Sequence, residues 1–153
     1  MNIADNVSTY RKRRERLARA LGAGIAVVPT APERIRNRDT HYPYRFDSHF
    51  YYLTGFPEPE AVLLLMAGAE PKSVLFCREK NAERELWEGF RYGPEAALER
   101  FGFDEAHPIA KLDELAPKLI ANQPALSSES KCVCAYGGVI TVAVPGQFTV
   151  DVP

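Results

Sequence analysis

Tyr42-Pro43-Tyr44-Arg45-Phe46-Asp47-Ser48-His49-Phe50-Tyr51-Tyr52-Leu53-Thr54-Gly55-Phe56-Pro57-Glu58-Pro59-Glu60-Ala61 runs directly into Val62-Leu63-Leu64-Leu65-Met66. An aromatic and charged string thus feeds an apolar strand. Ala61 to Met66 therefore reads as a strand, and Ser73 to Arg78 as another. Gly68 and Pro71 between them allow the chain to turn back, which predicts an antiparallel hairpin. Phe50 to Leu53, rich in aromatic side chains and ended by Thr54-Gly55, is predicted as a further strand. Phe50, Tyr51, Tyr52 and Phe56 are assigned to the core or to strand faces, and Gly55 and Gly89 to turns of positive φ.

Upstream, residues 8–21 carry apolar side chains at Tyr10, Leu17, Ala18 and Leu21, with Ser8 as an N-cap and Gly22 and Gly24 as stops, which predicts a surface helix burying one narrow stripe. Its basic run Arg11-Lys12-Arg13-Arg14 reads as a solvated helix face. Ile25 to Val28 is a short apolar run bounded by Gly24 and Pro29, the pattern of a strand buried on both faces, and Thr30 to His49 is a long polar loop. Downstream, Pro94 opens a helix over Glu95–Arg100 that Gly102 ends, and Leu112 to Ala121 forms another despite Pro117. Strands in the middle with helices on either side define an α/β fold, a mixed sheet flanked by helices on both faces.

The chain has 153 residues, 46% hydrophobic and 25% charged, the size and balance of one globular domain. A net charge of −1 gives no field favouring nucleic acid. No apolar run approaches the roughly 20 residues of a membrane span, and Asp5 interrupts any signal-peptide core. Cysteines at 77, 132 and 134 form an odd, uneven set, which favours reduced thiols and a cytoplasmic location.

Tyr42-Pro43-Tyr44-Arg45, Asp47-Ser48, Thr54-Gly55-Phe56 and Glu58-Pro59-Glu60-Ala61-Val62-Leu63 together resemble the opening of the Xaa-Pro aminopeptidases, the aminopeptidase P family. The resemblance covers Tyr10 to Leu126. It implies the N-terminal domain shared with creatinase and prolidase, likened to ribonuclease H, spanning residues 1–126. Residues 127–153 then form an atypical tail or linker outside that match. Within this tail, expected to be less ordered or less well packed than the preceding domain, Cys132 to Tyr136 and Val139 to Val144 read as a hairpin about Gly137-Gly138.

That family hydrolyses the bond between an N-terminal residue and a following proline, using two metal ions, usually manganese, in a C-terminal pita-bread domain. By the resemblance this chain holds no cofactor and no catalytic residue of its own. Its implied partners are the catalytic domain of the same polypeptide, further copies in a homo-oligomer, and the proline-containing peptide. Trp87, within Arg84 to Gly93, matches a family tryptophan at the rim of a neighbouring subunit's pocket. Asp39 matches an acidic residue facing the catalytic domain. Tyr42, Tyr44 and Arg45 are interface or packing groups, with packing favoured. A stand-alone protein- or peptide-binding module of the same fold is the alternative.

Other chemistry is weakly supported. His41 and His49 with Asp47 have no common ligand spacing, and Cys132 with Cys134 is only half of a zinc pattern. Ser48 and Cys77 have no base nearby in sequence and no nucleophile-elbow motif.

Overall fold

A computed structural model describes residues 3–121, 131–133 and 139–141. The chain divides into two compact units, Met1–Gln123 and Pro124–Pro153.

In the first unit, helix α1 (Ile3–Leu21) leads to strand β1 (Gly24–Pro29), a small hairpin β2 (Ile35–Asn37) and β3 (Thr40–His41), and helix α2 (Ser48–Thr54). Strands β4 (Val62–Ala67) and β5 (Lys72–Cys77) follow, then helices α3 (Ala82–Glu88) and α4 (Gly93–Phe101), strand β6 (Glu105–Pro108), a 3-10 turn at Ile109–Lys111 and helix α5 (Leu112–Ala121). The sheet order is β1-β4-β5-β6. β1 and β5 flank β4 antiparallel, whereas β6 lies parallel to β5, so the sheet is mixed.

Period-two alternation in β4 and β5 explains the three layers. Leu63, Leu75 and Cys77 point to one face, against Phe50, Leu53, Phe56, Ala97 and Phe103, and Leu65 with Ala67 continues that face onto Ala18 of α1. Leu64, Met66, Val74 and Phe76 point to the other, where Ile109, Leu112, Leu115 and Leu119 cover them. Both faces are dry, hence the unbroken apolar run. At the sheet's start of β6, Asp104 accepts hydrogen bonds from Ser73 N and Oγ, both at 2.7 Å, which fixes the parallel register.

Helix α1 starts at Ile3 rather than at a Ser8 cap. β1 is an edge strand with Val27 56% exposed, rather than one covered on both faces. Three further expectations are corrected. Phe50 to Leu53 is not a strand but part of α2. The Asp47 carboxylate caps it, accepting from His49 N at 2.9 Å and Phe50 N at 2.8 Å, and Gly55 ends it in the left-handed region at φ 66°. Burial of Phe50, Leu53 and Thr54 follows the helical i, i+3, i+4 spacing, which overrides the aromatic β-preference. A Cβ at 55 would drive into the Tyr10 ring, so any other residue there is strained at this φ and forces that ring to shift. Tyr52 accordingly lies outside the core, 51% exposed.

Second, the loop from Thr30 to His49 contains the β2–β3 hairpin, whose turn is Arg38-Asp39. Third, Arg14 is no part of a solvated face. It is 2% exposed and donates to Leu53 O at 3.1 Å in α2 and to Phe101 O at 3.3 Å and Gly102 O at the end of α4. One guanidinium thus satisfies carbonyls at two helix C-termini, where the backbone dipoles favour a cation. Burial pushes its pKa down to about 10, which leaves it charged at neutral pH.

In the second unit, Lys131–Val133 pairs antiparallel with Val139–Thr141, Cys132 opposite Ile140, as expected of that hairpin. The linker before it, Cys134 and the glycine turn lie outside the described residues.

Candidate functional site

The crossover from β5 to β6 leaves the sheet at Cys77 and returns through α4, and between them stands α3, with no buried residue. Asn81 caps its start, accepting from Arg84 N at 3.0 Å, and Gly89 at φ 87° ends it. On this short helix and its exit, Leu86 is 81%, Trp87 88% and Phe90 61% exposed. Three large apolar side chains in five positions face outward, the composition of a contact surface.

The base of this loop is charged and dry. Glu58, Arg78 and Arg91 are all buried. The Glu58 carboxylate accepts from Tyr92 N at 2.6 Å and lies 3.6 Å from Arg78 Nη2. Burial raises the Glu58 pKa, opposed by the Tyr92 amide and the Arg78 cation. Arg91 pairs with Glu88. A ring cluster continues from this base into the core, with Phe90 edge-on to Tyr92 at 5.0 Å and Tyr92 edge-on to Phe101 at 5.1 Å. Sequence reasoning assigned no role to Glu58, Arg78 or Arg91. Charges set between core positions in Glu58-Pro59-Glu60-Ala61 and in Arg91-Tyr92-Gly93 were the available signal.

Asp39 is exposed in the β2–β3 turn, its carboxylate accepting from Thr40 Oγ1 at 3.4 Å. Tyr42 is 55% exposed, with the Arg36 guanidinium 6.0 Å from its ring centroid. Tyr44 is half-buried and structural: its hydroxyl meets Thr30 Oγ1 at 2.7 Å and donates to Ala31 O at 3.1 Å, pinning both ends of the excursion that carries the hairpin. Burial raises its pKa. Arg45 is exposed. No direct bond joins Trp87 to Asp39 among the described residues.

His41 lies in β3 and His49 in α2, both exposed, and the Asp47 oxygen is occupied as a helix cap. Among the described residues no three His, Cys, Asp or Glu side chains converge as a metal-binding group. Nor is any helix among them long and apolar enough to cross a membrane. Cys77 is buried, and burial pushes its thiol up to about 12, which removes it as a nucleophile.

A mixed four-stranded sheet between helices, with an outward aromatic loop and an exposed hairpin, defines an α/β domain. The chain belongs to the family described as aminopeptidase P, N-terminal domain, whose model matches residues 10–127. A second model, described as a domain of unknown function (DUF4280), matches residues 109–147. The Xaa-Pro aminopeptidase of Escherichia coli is 39% identical over 114 residues, covering 72% of this chain and 26% of that protein. Among solved structures, Pseudomonas aeruginosa aminopeptidase PepP superposes with a TM-score of 0.71 at 50% identity, over 74% of this chain and 26% of that one. Zinc-substituted E. coli aminopeptidase P in complex with product superposes with a TM-score of 0.74 at 34% identity, over 86% and 30%. The chain thus spans about a quarter of the length of the relatives it matches. Those relatives are longer single chains in which such an N-terminal domain sits with a C-terminal one.

Proposed function

We propose that this chain serves as the non-catalytic N-terminal domain of a manganese-dependent Xaa-Pro aminopeptidase, with Trp87 and Asp39 turned towards partner surfaces at the substrate pocket and between subunits. The observation that carries this reading is Trp87, 88% exposed on a helix that buries nothing. An indole left in water on an ordered element is what a binding hot spot looks like before its partner arrives. Tyr42 and Arg45, exposed beside Asp39, contribute to the same role, whereas Tyr44 supports it by packing.

The described residues do not fit a pair of manganese ions, since no acidic and imidazole set converges. In this reading the metal and the bond-breaking groups belong to a C-terminal domain, and residues 1–126 restrict access to short peptides with proline second. The odd cysteine set and the buried free thiol of Cys77 support a reducing, cytoplasmic setting.

Trp87 is the only tryptophan, so its fluorescence reports contact directly. Titrating the chain with the separately made C-terminal part of the E. coli relative is expected to shift Trp87 emission to the blue and shield it from acrylamide. Emission unchanged at saturating partner would refute the docking role and favour a stand-alone binding module.

A further inference from the structure

Helix α3 is seven residues long and has no buried residue. Helices shorter than ~12–15 residues are marginal in water by themselves, and tertiary burial, which normally makes up the difference, is missing here. Something polar must hold α3, and with it the indole of Trp87.

Glu85 stands one turn before Gly89 on the inward side of this helix, its side chain 20% exposed among exposed neighbours. Its Oε1 accepts from the backbone N–H of Arg91 at 2.7 Å and from Lys80 Nζ at 3.2 Å. Lys80 Nζ also donates to Arg91 O at 3.2 Å and lies 4.6 Å above the Phe90 ring. Residues before and after the helix are therefore tied to one carboxylate on the helix itself. The strands of this knot meet at its base, where Lys80 packs on Gly93 so closely that a Cβ there would stand 3.1 Å from Lys80 N. The Arg91 amide holds the Glu85 carboxyl below its usual range, in keeping with an ionised acceptor.

We propose that Glu85 is a positioning residue: through the Arg91 amide and the Lys80 ammonium it clamps the loop closed and sets the direction in which Trp87 is presented. Its functional meaning rests on the docking role of Trp87 given above. The clamp itself exists in the free chain and is measured there.

The test is time-resolved anisotropy of Trp87 in the full 153-residue chain, with Glu85→Ala, Glu85→Gln and, as control, Glu83→Ala on the same helix. In the parent chain Trp87 is expected to tumble with the domain. Glu85→Ala should lose that rigidity and acquire a nanosecond local decay, with the melting point little changed. Exchange of the Arg91 amide proton should rise roughly tenfold, since one charge-assisted hydrogen bond is lost. Glu85→Gln, which keeps an acceptor for Arg91, should fall between. Anisotropy of Glu85→Ala equal to the parent, or equal loosening by Glu83→Ala, would overturn the clamp. A clamp that passes while the indole ignores the C-terminal partner would instead locate the failure in the docking role.

Discussion

Arg14 and Leu53 stand 39 positions apart in the chain, and the buried guanidinium of the first donates to the carbonyl of the second at 3.1 Å. The same group reaches Phe101 and Gly102, so α1, α2 and α4 are tied at one point beneath the sheet. Removing the donor leaves buried carbonyls without partners. Arg14→Ala is therefore expected to cost about 3 kcal/mol, read by urea unfolding. Arg16→Ala, at an exposed position of the same helix, is expected to cost less than about 0.5 kcal/mol. Equal effects of the two would show that the buried hydrogen bonds do not stabilise the fold.

Trp87→Ala should leave stability nearly unchanged, within about 0.5 kcal/mol, because the ring is 88% exposed. Deleting a buried Trp costs roughly 3–5 kcal/mol. A melting curve distinguishes the two, and a large loss would return Trp87 to the core.

Glu60 has φ 53°, the one non-glycine residue in the left-handed region among those described. An L side chain there carries strain of about 1–2 kcal/mol, partly offset by the extra backbone entropy glycine would lose. Glu60→Gly is expected to raise stability by about 0.5–1 kcal/mol. Its exposed side chain takes no part in the core. A lower melting point would mean that the carboxylate makes a stabilising interaction that outweighs the strain.

The Glu105 carboxyl is held below its ordinary 4.5 first by the Lys72 ammonium, with His107 assisting, against a smaller opposing effect of burial. A group whose folded pKa is depressed adds stability above the unfolded pKa and loses it as pH falls through the folded one. Acidification below 4.5 should thus lower the melting point more in the parent than in Glu105→Gln. Glu58, raised by burial, acts with the opposite sign and blunts the overall profile without altering this difference. Parallel melting profiles of parent and variant would remove Glu105 from the account.

Much of this fold was legible in the residues, and the failures have physical causes. The run from Val62 to Met66 and its partner ending at Cys77 show the buried hairpin directly, because both faces are apolar. Pro94 and Gly102 bracket α4 as their backbone preferences require. α2 was misread because its aromatic residues favour strands, while the deciding features are a cap at Asp47 and a left-handed Gly55. α3 left no periodic trace, since a helix without a buried face has no apolar stripe. β6 is a short, half-buried strand whose register comes from Asp104 binding Ser73, a contact between distant residues. Arg14 hides in a basic run, and only tertiary placement separates it from its solvated neighbours. Trp87 and Asp39 stand out in the sequence by their motif and are exposed, whereas the charges beneath the loop and the Glu85 clamp depend on folding.

Whether this domain shapes an Xaa-Pro aminopeptidase pocket is tested most directly by grafting residues 1–126 in place of the matching segment of the E. coli relative and following hydrolysis of Xaa-Pro peptides of increasing length with manganese present. The graft is expected to turn over dipeptides and longer peptides, and Trp87→Ala within it to lower turnover of peptides longer than two residues while sparing dipeptides. A folded, active graft in which Trp87→Ala leaves every peptide length unaffected would contradict the account.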